Sequence, residues 1–199
     1  MKNYFHVPEL DLTSEQRSNL LKKFLLKKDN ELKGYSVDFK RNTNDSHVQE
    51  ITQKSVLLTY YTDIDFISEF FSNDLLEHIK SISLNPPSMV SSPYEFFQNV
   101  GHFNKHSDKV RETAIIIPIT DPSEIKLDPD CNKIEWWDKE GTEIIDTLDY
   151  GFKTWILNVK CPHSMLTASR TRVSFQISIF DYTFKEIKEM YDSGKLFKN

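Results

Sequence analysis

The sequence predicts a mainly β domain with flanking helices, and three observations carry that reading. After Tyr94, apolar runs recur near 96–102, 113–119, 133–137, 143–146, 154–160 and 172–180, separated by turns or charged loops. Short strands at that density suggest a barrel or sandwich. Two capping boxes, Thr13…Gln16 and Thr183…Glu186, announce helices before and after this region. With only five glycines and no glycine-rich phosphate loop, a dinucleotide-binding fold is disfavoured.

The first helix is predicted over "TSEQRSNLLKKFLLKK", with Leu20, Leu21, Phe24 and Leu25 on one apolar stripe. "SVLLTYY" (55–61) reads as a strand. "TDIDFISEFFSNDLLEHIKSISL" (62–84) reads as one or two helices, with Asn73 an internal N-cap candidate. Pro86-Pro87 and the "SSP" at 91–93 then punctuate the chain. The expected organisation is a single domain, 1–199. A helical scaffold with one strand (1–90) precedes a β core (94–180), and a C-terminal helix (183–194) ends at Gly194.

A length of 199 residues, with 38% hydrophobic and 28% charged residues, is ordinary for one globular domain with a full core. No apolar run reaches the ~18–20 residues that span a bilayer. The start, "MKNYFHVPELDLT", has no apolar region of signal-peptide type. Cys131 and Cys161 make no disulfide framework, so a cytoplasmic location is expected. A formal net charge of −5 argues against nonspecific nucleic-acid binding. Charge is uneven, however. Residues 121–149 carry ten acidic side chains against three lysines, whereas Lys105, Lys109, Arg111, Lys160, Arg170 and Arg172 form basic segments. Those cations suit either a solvated surface or a positive mouth for an anionic ligand.

Chemistry concentrates around "FNKHSDKVRETAIIIPIT" (103–120). If 103–108 is extended, His106 and Asp108 point to one side, because side chains alternate along a strand. Imidazole plus carboxylate suits a first-row divalent metal better than a thiolate-rich zinc site. Alone, the pair is better explained as a surface histidine beside a solvated carboxylate. The remaining histidines are His6, His47, His78, His102 and His163. His102 shares the register of the pair as an outer-shell candidate. His163 follows the strand "TWILNVK" through a Cys-Pro corner, where proline ends the ladder and fixes the backbone.

Nine residues on, "RVSFQISIF" alternates cleanly. Val173, Phe175, Ile177 and Ile179 share one face; Arg172, Ser174, Gln176 and Ser178 share the other. A half-solvated strand satisfies this pattern. So does a strand whose polar row lines a barrel interior, and then Arg172 is a buried guanidinium requiring an anionic partner such as a ligand carboxylate.

The order His106-x-Asp108, His163, Arg172-x-Ser174 resembles the Fe(II)/2-oxoglutarate-dependent oxygenase superfamily, over roughly residues 94–180. Small members of the prolyl-hydroxylase or phage-encoded type are the nearest. The resemblance implies a double-stranded β-helix (jelly-roll, cupin-like) core. It implies that His106, Asp108 and His163 ligate iron, and that Arg172 and Ser174 bind the far carboxylate of 2-oxoglutarate. The activity implied is a hydroxylase, an oxidoreductase that converts 2-oxoglutarate to succinate and CO2 while oxidising a C–H bond, with ascorbate as an accessory reductant. A further co-substrate contact is expected from Tyr94, Gln98 or Thr113. Arg170 shares the face of Arg172 and is the competing anion binder.

The expected substrate is a protein side chain or a small molecule such as a free amino acid, with nucleobases last. No membrane partner is expected, and the sequence leaves the oligomeric state open. A cupin-like module that holds a metal or small acid without turnover is the alternative, and a structural protein with incidental histidines is a third. Trp136 and Trp137 divide between core and solvent or serve a substrate. Cys161 reads as a buried structural thiol rather than a zinc ligand. The loop 120–132 serves as a lid or as surface decoration.

Overall fold

The computed structural model describes residues 2–27, 33–37, 56–62, 94–100, 103–109, 111–166 and 170–197; for 33–37, 56–62, 94–100, 103, 104 and 131 it describes the backbone. Strand β1 (Tyr4–His6), a 3-10 turn (Pro8–Leu10) and helix α1 (Ser14–Lys27) come first. Strands β2 (Lys33–Val37), β3 (Val56–Thr62), β4 (Tyr94–Val100), β5 (Phe103–His106) and β6 (Thr113–Pro118) follow. Helix α2 (Pro122–Leu127) and a 3-10 turn (Pro129–Asn132) lead into β7 (Lys133–Trp137), β8 (Ile144–Asp149), β9 (Trp155–Asn158), β10 (His163–Met165) and β11 (Arg172–Ile179). Helix α3 (Phe184–Asp192) closes the described chain.

Two antiparallel sheets result. The larger runs β1-β9-β6-β11-β4-β3-β2 and the smaller β5-β10-β7-β8. Strands β6 and β11 are central to the larger sheet and buried along their whole length. The half-solvated reading of "RVSFQISIF" is therefore excluded: both faces of β11 are covered. The outer row, Val173, Phe175, Ile177 and Ile179, joins Ile115 and Ile117 of β6 under Leu20 and Phe24 of α1 and Phe184 and Ile187 of α3. The inner side of the sheet contributes Ala114, Ile116 and Leu157 to a second cluster with Ile134, Trp136 and Leu148 of the smaller sheet. The two sheets thus pack face to face, with helices on the outside of the larger one.

The capping boxes form as expected. Gln16 Nα donates to Thr13 Oγ1 at 3.2 Å and Thr13 Nα to Gln16 Oε1 at 2.8 Å. Thr183 and Glu186 exchange the same pair of bonds, and Gly194 follows the helix at φ 68°. The stripe of α1 differs from expectation. Leu20 and Phe24 are buried and Leu21 is partly buried, but Leu25 is 44% exposed and Arg17 is buried instead. Arg17 stays inside because its Nη2 donates to the Leu12 and Phe152 carbonyls and its guanidinium lies over the Phe152 ring.

The segment 120–132 is built rather than irregular. Asp121 caps α2 by accepting from Ser123 Nα at 2.8 Å, with Pro122 at the first helical position. Strands β1, β2 and β10 add to those expected from sequence, and β5 makes 103–106 of the conditionally extended segment a strand; runs of three to five residues carry too little alternation to register as a period. The helices expected over 62–84, the Asn73 cap, the proline boundary and His47, His78 and His102 lie outside the described residues. Among the described residues, no helix is long and apolar enough to cross a membrane.

Candidate metal centre

His106 is the last residue of β5, and His163 the first of β10; the two are directly paired across an antiparallel ladder. Residues opposite one another in such a ladder put their side chains on the same face, so the rings meet, with centroids 4.4 Å apart. Because His163 is also paired with Trp136, which is buried between the sheets, both histidines belong to the inner face of the smaller sheet. Asp108 lies just beyond β5, its backbone N–H donating to the Val159 carbonyl at 2.9 Å. Ser107 between them is exposed, as a spacer would be.

One ligand atom from each of His106, Asp108 and His163 falls within 4.8 Å of the other two. Asp108 Oδ1 sits 3.3 Å from His106 Nε2. His163 Nδ1 is 2.9 Å from the Cys161 carbonyl, which can only accept, so Nδ1 carries the proton and Nε2 keeps its lone pair. Burial, and then the neighbouring His106, push the His163 pKa down to about 4, so this ring is neutral at pH 7. Burial pushes the Asp108 carboxyl up, but the His106 hydrogen bond and the Arg111 charge outweigh it and hold the group well below the usual carboxylate range. The result is two imidazoles and a carboxylate that converge, with His163 neutral and Asp108 ionised at pH 7.

The facing polar row of β11 lines the space between the sheets. Arg172, Ser174, Gln176 and Ser178 are all buried, Arg172 to 2% exposure. Arg172 Nη1 donates to the Leu166 carbonyl at 2.7 Å. Arg170 is exposed, so of the two arginines Arg172 alone is enclosed. A chain of side chains connects the row to the triad. Arg111 Nε donates to Asp108 Oδ2 at 2.6 Å, Arg111 Nη1 to Gln176 Oε1 at 3.0 Å, and Gln176 Nε2 to Ser174 Oγ at 3.4 Å. From sequence, Arg111 is one of several cations suited to a solvated surface or a positive mouth; the structure pairs it with Asp108. Its i,i+3 spacing from Asp108 and the polar row it meets were the available signals.

Several expected roles fall differently. Thr113 is paired with Ile179, on the outer row of β11, and its hydroxyl donates to the Tyr182 carbonyl at 3.1 Å, so it faces away from the triad. Tyr94 and Gln98 occupy register positions opposite Ile177 and Val173, again the outer row. Cys161 is half-buried rather than buried; its Sγ lies 3.2 Å from Asn158 Nδ2, and it serves the triad through its carbonyl. Trp136 is core, with its Nε1 donating to the Asn158 carbonyl, whereas Trp137 is partly exposed under Lys105. Two cations of the positive mouth are balanced by carboxylates: Arg111 pairs with Asp108 and Lys160 with Glu112.

No protein-family model matches the chain, and no curated protein matches it. The structure is similar to that of a prolyl hydroxylase in complex with a hypoxia inducible factor oxygen degradation domain peptide fragment from Trichoplax adhaerens. That likeness has 12% identity and a TM-score of 0.55, covering 96% of this chain and 87% of that one. It is also similar to the non-heme alpha ketoglutarate dependent epimerase SnoN from nogalamycin biosynthesis, at 9% identity and a TM-score of 0.50, covering 90% of this chain and 78% of that one. At these identities the likeness is one of fold.

Proposed function

We propose that the chain is an Fe(II)/2-oxoglutarate-dependent dioxygenase built on a double-stranded β-helix, hydroxylating a C–H bond of a protein side chain or small metabolite. The observation that carries this reading is the meeting of His106, Asp108 and His163 opposite a buried row that begins with Arg172 and Ser174. A mixed set of two nitrogens and one oxygen, with no thiolate, fits a non-haem ferrous ion with open positions. The proximity of the three donor atoms and the bond from His163 Nδ1 to the Cys161 carbonyl agree with that fit. The shared fold with a prolyl hydroxylase and with an alpha ketoglutarate dependent epimerase is consistent with it.

In this reading His106, Asp108 and His163 hold the iron. Arg172, positive at any accessible pH and enclosed in a low-dielectric space, attracts the far carboxylate of 2-oxoglutarate. Ser174 adds a hydroxyl donor from the same row. Ile116, Trp136 and Leu157 form the apolar wall that excludes water from the space between the sheets. Bound iron, 2-oxoglutarate and dioxygen supply the oxidising power, and the co-substrate leaves as succinate and CO2.

The test is succinate formation by purified protein with Fe(II), ascorbate and 2-oxoglutarate, with His106→Ala and Arg172→Ala as controls. Anaerobic addition of Fe(II) and 2-oxoglutarate should give a visible charge-transfer band that both variants lose. Absence of both the band and succinate in the wild type sinks the oxygenase reading. A band without succinate, across candidate peptides and amino acids, points instead to a cupin-like binding module.

A further inference from the structure

Asp108 has two oxygens in different company. Oδ1 faces His106 Nε2 at 3.3 Å, on the ligand side, whereas Oδ2 is held by Arg111 Nε at 2.6 Å. The backbone is pinned as well, through the bond from Asp108 Nα to the Val159 carbonyl. Arg111 leads into β6 and is itself braced by the neighbouring strand β11: Nη1 reaches Gln176 Oε1 at 3.0 Å and Ser178 Oγ at 3.4 Å. Gln176 and Ser178 lie on the buried inner row of β11, so the brace rests on a central strand rather than on a mobile surface. The planar guanidinium makes this geometry directional, since Nε and Nη1 point along fixed lines.

We propose that Arg111 is a positioning residue that keeps Asp108 a one-oxygen ligand, so that three positions on the metal stay open for co-substrates. The inference rests on the oxygenase reading. A carboxylate binds a divalent ion through one oxygen or both. Turning Oδ2 onto the metal requires breaking a short charge-assisted bond that Gln176 and Ser178 hold in line. Removing the guanidinium frees Oδ2 and also deletes a cation beside the dication. Both changes favour the metal, and the second oxygen takes a position that 2-oxoglutarate needs. Metal affinity and co-substrate affinity therefore move in opposite directions, which a merely structural role does not produce.

The experiment uses Mn(II) as the probe, with water-proton relaxation counting exchangeable positions and titration calorimetry measuring affinities. Arg111→Ala should bind Mn(II) at least as tightly as wild type, while its water relaxation enhancement falls by about a third, one of three open positions being taken. Its 2-oxoglutarate affinity in the Mn(II)-loaded protein should fall roughly 10–100-fold, the cost of losing one contact to a charged group. Arg111→Lys, which keeps one cationic donor for Oδ2, should restore the water count. Gln176→Leu should move both readouts in the direction of Arg111→Ala, by less. Wild-type relaxation and co-substrate affinity in Arg111→Ala overturn the proposal, as does loss of Mn(II) binding from a folded Arg111→Ala. If Arg111→Ala does not fold, Gln176→Leu decides by the same two readouts. A wild type that binds no Mn(II) at His106 overturns both this proposal and the oxygenase reading. Mn(II) binding without 2-oxoglutarate binding overturns the oxygenase reading alone, and the water count still decides the role of Arg111.

Discussion

His106 and His163 face each other across the β5–β10 ladder with ring centroids 4.4 Å apart, although they come from distant parts of the sequence. The pairing is made by backbone register, so the two rings are juxtaposed before any metal arrives. Replacing either removes a donor atom outright and should cost at least roughly 100-fold in metal affinity. Mn(II) titration of His163→Ala checks this. Retention of near wild-type affinity would remove His163 from the ligand set.

Acid should destabilise the metal-free protein in two stages. The His163 pKa is pushed from 6.5 to about 4 by burial, so between those values the unfolded state binds more protons than the folded one. Its contribution is complete above about pH 6.5 and is lost as pH falls towards 4. Asp108, also depressed on balance, contributes stability above its unfolded pKa that is lost as pH falls further. Denaturant titrations at pH 7 and pH 5 should show the first loss, and His163→Gln should flatten the slope between them. An unchanged slope in that variant would contradict the burial argument.

Arg172 and Arg170 differ by one turn of alternation but not in facing direction along an ideal strand. The structure separates them by burial: Arg172 is enclosed and Arg170 lies outside β11 and exposed. Arg172→Ala should weaken 2-oxoglutarate binding by about 3 kcal/mol, roughly 100-fold, as expected for truncating one partner of a buried charge pair. Arg170→Ala should stay close to wild type. Calorimetry on the two variants decides, and a reversed order would move the anion site.

The α1 stripe offers a stability comparison. Phe24 is fully buried against the outer row of β11, so Phe24→Ala should cost about 3–5 kcal/mol. Leu25, 44% exposed, should cost no more than ~0.5 kcal/mol on conversion to Ala. Urea unfolding of the two variants measures the difference, and equal losses would mean that the helix packs by a different face.

The sequence by itself determined the strand-rich core, both capping boxes and the alternation of β11, because each depends on residues close in the chain with a strong local period or a fixed side-chain geometry. It also offered His106, Asp108, His163, Arg172 and Ser174 as candidates, through the order of motifs that carries the family resemblance. Only tertiary structure decided that both faces of β11 are buried, since alternation looks the same whether the polar row meets water or another sheet. The role of Thr113 turned on register across the β6–β11 ladder, which places it on the outer row beside Ile179. Arg111 was likewise only one of several cations suited to a surface or to a positive mouth. Its partners are Asp108, three residues away, and Gln176, which the pairing of β6 with β11 brings beside it. Local sequence sets which side chains alternate and which helices begin; long-range pairing sets which oxygen of Asp108 Arg111 holds and which faces His106.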